Sequence, residues 1–100
     1  MKIITVCGSL KFKDEIMKIT EEMTLQGNCV LSIVYPTKNA YTDEERQMFG
    51  TTHKERIKIS DAVLVVDIDN YIGSNTRNEI EFAKALNKEI IYYSNISDSI

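Results

Sequence analysis

Three short stretches hold the residues with chemical potential. They are "CGSLKF" at 7–12, "HKER" at 53–56 with the only histidine, and "DIDNYIGSNTRNE" at 67–79. In the first, Gly8 permits close backbone approach. Ser9, with the N–H groups of a helix start, attracts an anion or a sugar hydroxyl; an equal alternative is that Ser9 simply caps the helix. In the third, Asp67 and Asp69 end a strand whose core asks for no acid. Tyr71 offers a ring for stacking and a hydroxyl for bonding. Gly73 is followed by Ser74, Asn75, Thr76 and Arg77, a cluster of donors ahead of a helix whose dipole favours an anion. Arg77 adds a guanidinium suited to phosphate. Glu79 has two readings: a capping box with Thr76 in the pattern T-x-x-E, which spacing alone favours, or a carboxylate nucleophile at the mouth of a sheet. His53 and Arg56 share a helix face one turn apart, so His53 is either a structural histidine or a substrate contact.

These side chains need elements to position them. "KIITVCG" reads as a buried first strand. Phe12, Ile16, Ile19 and Met23 make one helical stripe, ended by Gly27. "NCVLSIV" is a second strand and "YPTKNAY" a loop. Thr42 and Glu45 form a capping box that opens a helix to about Ser60, weakened in the middle by Gly50, Thr51 and Thr52 and so expected in two pieces. "DAVLVVDID" is a continuous apolar strand of the kind covered on both faces. A third helix runs from about Thr76 to Leu86, Asn87 ends it, and "EIIYY" is the fourth strand. Alternating strands and helices predict right-handed crossovers and one parallel sheet of about four strands. The fold class is therefore α/β, a single-domain Rossmann-like or flavodoxin-like three-layer sandwich over residues 1–94, with a polar tail at 95–100. Such sheets collect ligands at the carboxyl ends of their strands.

Composition narrows the function classes. The chain has 100 residues, 43% apolar, with a formal charge of −3 from 12 basic and 15 acidic residues. The charges are mixed, and no basic stripe with interleaved aromatics points to a nucleic-acid polymer. No apolar run reaches the ~20 residues of a membrane span, and "MKIITVCGSL" breaks too soon for a signal peptide, so a cytoplasmic location is expected. Cys7 and Cys29 lie in apolar runs and read as two buried thiols. With one histidine and neither CxxC nor HExxH, the chain shows no metal motif. The three-glycine dinucleotide fingerprint is also missing, which disfavours a nicotinamide cofactor.

The opening "CGS" with its following phenylalanine, "HKERIKISD" before the third strand, the acids that end that strand, and "YIGSNTRNEIEFAKALNKEII" after it resemble the nucleoside 2-deoxyribosyltransferase-like superfamily. Small bacterial and phage members are the most similar. The resemblance implies the same layered fold and cleavage or transfer at the N-glycosidic bond of a deoxynucleoside or its monophosphate, without metal or organic cofactor. By position it makes Glu79 the nucleophile, kept ionised by a helix start, and Asp67 or Asp69 a proton donor or sugar contact. It sets Gly8 and Ser9 near the sugar. The expected substrate-binding set is Gly8, Ser9, Phe12, His53, Tyr71, Gly73, Ser74, Thr76 and Arg77, with a nucleoside monophosphate preferred. A carboxylate that attacks and a second carboxyl group that protonates the leaving group would parallel glycoside hydrolysis. A small open sheet implies a homodimer or larger assembly. The alternative on the same fold is a non-catalytic nucleotide-binding or sensing module, with Glu79 only a cap.

Overall fold

The computed structural model describes residues 1–96. Strand β1 (Ile3–Gly8) is followed by a 3-10 turn at Leu10–Phe12 and helix α1 (Lys13–Leu25). Strand β2 (Cys29–Leu31), helix α2 (Asp43–Ile59) and strand β3 (Ala62–Val66) come next. Helix α3 (Ser74–Ala85), strand β4 (Glu89–Tyr92) and a single helical turn, α4 (Tyr93–Ile96), complete the order. All strand pairs are parallel, in the order β2-β1-β3-β4. This is the flavodoxin-like arrangement, whose switch point lies between β1 and β3.

Alternation along β1 divides the core into two layers. Ile4 and Val6 join Phe12, Ile16 and Ile19 beneath α1. Cys7, on the opposite face, joins Ile57 of α2 and Ala83 of α3. The β3 residues are buried throughout, as expected of a strand covered on both faces. Gly8 is required by packing: a Cβ there would come within 3.2 Å of both Ile16 Cδ1 and Val66 Cβ. Gly27 and Asn87 both take the left-handed conformation that ends their helices, with φ of 97° and 59°.

Several boundaries differ from the sequence expectation. Helix α2 has its Thr42–Glu45 capping box but runs unbroken through Gly50: burial of His53 and Ile57 against the sheet outweighs the weak propensity of Gly50, Thr51 and Thr52, and the Thr52 hydroxyl donates to the Met48 carbonyl at 2.9 Å within the helix. Strand β2 stops after three residues: it is an edge strand whose pairing with β1 ends at Leu31, and the following chain turns away as a loop. Cys29 is consequently exposed rather than buried. Tyr93 leaves β4 for α4, whose Ile96 packs against the α1 layer, so Asn95 and Ile96 are part of the folded unit. The rest of the expected tail, 97–100, lies outside the described residues.

One polar cluster fixes α2 on β1. The Thr5 and Ser60 hydroxyls bond each other, one donating to the other, and the second proton goes to the Arg56 carbonyl, which lies 3.0 Å from Thr5 Oγ1 and 2.7 Å from Ser60 Oγ. That anchor sets the height of His53, one turn earlier on α2, against Cys7.

Candidate active site

A cleft of about 800 Å³ opens at the carboxyl ends of β1 and β3. One side is the β1–α1 turn, with Gly8, Ser9 and Leu10. Another is the start of α3, with Gly73, Ser74, Thr76 and Glu79. The third is the β2–α2 loop and the inward face of α2, from which Tyr41, Phe49, His53 and Lys54 contribute. Tyr41 shapes that loop: its hydroxyl accepts from the Thr37 and Lys38 amides at 2.9 Å, and its ring meets Phe49 edge-on at 5.3 Å. Tyr71 stands exposed at the rim, edge-on to Phe12 at 5.9 Å, with Lys11 Nζ 3.4 Å from its ring centre.

The carboxylate of Glu79 lies at the floor. Helix α3 begins at Ser74 with Gly73 as its N-cap, so Thr76 is already inside the first turn, buried, and makes no cap. The Thr76–Glu79 capping box is therefore absent. Glu79 sits one turn further in, half-buried, with Oε2 4.0 Å from His53 Nε2. That same nitrogen is 3.6 Å from Cys7 Sγ. The Arg56 guanidinium, which can only donate, faces the other ring nitrogen at 3.4 Å, leaving the ring proton on Nε2.

Burial controls the charges. It raises the Glu79 carboxyl from its ordinary 4.5 to about 7, against the opposing pull of the Cys7 thiol and the Lys54 ammonium. The helix start does not hold it fully ionised: removal from water outweighs the dipole. Burial, helped by the charge of Arg56, lowers His53 to about 4, so its ring is neutral. Burial also pushes the Cys7 thiol up, reinforced by Glu79.

Of the residues singled out in the sequence, Gly8, Ser9, His53, Tyr71, Gly73, Ser74, Thr76 and Glu79 converge on the cleft. Phe12 supports Tyr71 from behind. Ser9 does cap the 3-10 turn, accepting from the Lys11 amide at 3.3 Å, while also facing the cleft. Three residues do not join them. Arg77 is exposed on α3 outside the lining. Asp69 is exposed on a left-handed turn, with φ of 53°. Asp67 is 6% exposed and accepts from the Ser94 amide at 2.8 Å and the Ser94 hydroxyl at 2.6 Å. The core does ask for that acid: it ties α4 to the end of β3. Among the described lining residues Glu79 is the one carboxyl group, whereas Lys38, Arg46, Lys54 and Arg56 supply cations.

Cys7, read from the sequence only as a buried thiol, is placed by strand alternation on the face of Thr5, beneath α2 and α3 and against His53. The α2 wall was legible too: Arg46, Gly50 and His53, or Phe49, His53 and Arg56, recur at one-turn spacing on a single face.

No protein-family profile matches the sequence, and no curated protein matches it. Solved structures do. The fold is similar to that of a 2-deoxyribosyltransferase from the psychrotolerant bacterium Bacillus psychrosaccharolyticus, with a TM-score of 0.73 and 17% identity, over 90% of this chain and 70% of that one. It is also similar to a 2-deoxyribosyltransferase from Leishmania mexicana, with a TM-score of 0.67 and 19% identity, over 92% of this chain and 63% of that one. The chain has a nucleoside 2-deoxyribosyltransferase-like fold, and its structural neighbours are enzymes of that name.

Proposed function

We propose that this protein cleaves or transfers the N-glycosidic bond of a nucleoside, with Glu79 as the nucleophile. The observation that supports this most is the position of the Glu79 carboxylate, half-buried at the floor of a ligand-sized cleft at the sheet's switch point. Its ionised form attacks C1′, the C1′–N bond breaks, and the electron pair leaves with the base. Water, or a second base, then attacks C1′ and frees the carboxylate. With no second carboxyl group in the described lining, the departing base takes its proton from water. His53 is neutral and packs beside Glu79, its Nε2 4.0 Å from the carboxylate. Tyr71, Tyr41 and Phe49 offer faces for the base, and Ser9, Ser74 and Thr76 offer hydroxyls for the sugar.

The substrate carries a phosphate in this reading. Lys38 and Arg46 are engaged by Glu45 and Asp43, but Lys54 and Arg56 make no ion pair with a carboxylate among the described residues beyond the influence of Lys54 on Glu79. They leave the cleft with surplus positive charge, although the whole chain is acidic. A second copy of the chain would cover the apolar rim at Leu10 and Val34, both exposed. Light scattering at micromolar concentration tests that assembly.

The deciding experiment is incubation with deoxynucleosides and their 5′-monophosphates, followed by chromatography for free base. Base release by the wild type and none by Glu79→Gln is the expected result. Tight nucleotide binding without any turnover would replace the enzyme with a sensing module.

A further inference from the structure

Cys7, His53 and Glu79 arrive from β1, α2 and α3, and their ligating atoms lie within 4.8 Å of one another. Around tetrahedral zinc, with Zn–S near 2.3 Å and Zn–N or Zn–O near 2.0–2.2 Å, neighbouring ligand atoms stand about 3.4–3.6 Å apart. Cys7 Sγ and His53 Nε2, at 3.6 Å, already have that spacing. Glu79 Oε2, at 4.0 Å from the same nitrogen, needs only a small side-chain rotation inward. One thiolate, one imidazole and one carboxylate form a donor set of intermediate softness, suited to zinc or cobalt rather than magnesium or calcium. The two anionic ligands cancel a dication, so the buried site is left neutral. The cleft, reached by His53 and Glu79, supplies the open fourth position.

We propose that these three side chains bind a zinc-like dication, and that the ion switches off the cleft by taking the Glu79 carboxylate. The switching half rests on the function proposed above; the binding half does not. On binding, the Cys7 thiol loses its proton to solvent, as does any protonated Glu79. Coordination through Nε2 moves the ring proton of His53 to Nδ1, where Arg56 now points its guanidinium. Arg56 is half-exposed and can swing out, but at a cost in affinity. Replacing it by glutamine, whose carbonyl accepts the Nδ1 proton, should tighten binding about tenfold.

The test uses full-length Cys29→Ser protein, treated with chelator and titrated with Co²⁺, so that Cys7 is the one thiol present. The expected result is a thiolate-to-cobalt charge-transfer band with strong visible bands, saturating at one ion per chain, erased by zinc and untouched by magnesium. Adding Cys7→Ser should abolish the charge-transfer band. Adding Glu79→Gln, a milder change checked for folding by circular dichroism, should keep the band but weaken binding at least tenfold. No band in the folded Cys29→Ser protein at millimolar cobalt, or a band that survives Cys7→Ser, overturns the site. Base release that continues with the cobalt band saturated overturns the switch. A normal cobalt spectrum with no base release from any nucleoside supports the metal site and removes the glycosidic reading instead.

Discussion

Glu79→Gln probes the site without needing a substrate. Burial moves this carboxyl from 4.5 to about 7, and at about 1.4 kcal/mol per pH unit the ionised form costs the fold about 3 kcal/mol. Below pH 4.5 the group is protonated in both folded and unfolded chains, and no penalty exists. As pH climbs from 4.5 to 7 the unfolded chain gives up its proton first, so stability falls, and above 7 the full penalty is present. His53 acts in the opposite sense. Its folded value of about 4 lies below the ordinary 6.5, so stability is lost as pH falls from 6.5 to 4. Between pH 4.5 and 6.5 the two slopes oppose, and wild-type stability should be nearly flat. The glutamine removes one slope and leaves the other. Its stability should rise across that window and exceed the wild type by up to about 3 kcal/mol at pH 8, or roughly 12–24 °C in Tm for a domain of this size. Thermal melts followed by circular dichroism from pH 4.5 to 8, with chelator present, give the answer. A variant that melts lower than wild type at pH 8 would refute the reasoning, because that is the signature of a lost structural contact.

Three further outcomes follow from the geometry. Asp67→Ala should cost about 1–3 kcal/mol in urea unfolding, by stripping Ser94 of its partner, while turnover per folded molecule stays unchanged. Gly8→Ala should cost about 1–3 kcal/mol, because its Cβ meets Ile16 and Val66 at 3.2 Å; a neutral result in the same unfolding assay would show that the β1 end has slack. In paired titrations of a deoxynucleoside and its 5′-monophosphate, Lys54→Met should reduce the phosphate preference about tenfold and Arg77→Ala should leave it unchanged, since only Lys54 lines the cleft.

Much of the fold could be read from periodicity, because its elements are locally consistent. The apolar run of β3, the i, i+4, i+7 stripe of α1 and the Thr42 capping box each state their structure within one turn or strand. What could not be read depended on partners distant in sequence. Strand β2 has the composition of a seven-residue strand, but its length is set by where β1 stops pairing with it. Cys29 follows from the same fact: an edge strand exposes residues that a central one would bury. Asp67 looked functional because its partner, Ser94, lies 27 residues later.

The role of Glu79 was open in the sequence because its two readings assume different helix starts. If Thr76 is the cap, Glu79 is in the first turn and its carboxylate folds back to accept from the Thr76 amide. If Gly73 is the cap, Thr76 is already helical, and Thr76, Ile80 and Ala83 form the buried stripe at i, i+4 and i+7. Glu79 then lies beside that stripe, three residues after Thr76 and four before Ala83, and must point toward the sheet. A carboxylate among the core positions of an amphipathic helix breaks the binary pattern at a cost in stability, and such breaks are expected at functional sites. The observed start at Ser74 selects the second case. The helix phase that buries Ile80 and Ala83 in the core is the same phase that brings the Glu79 carboxylate over Cys7 and His53.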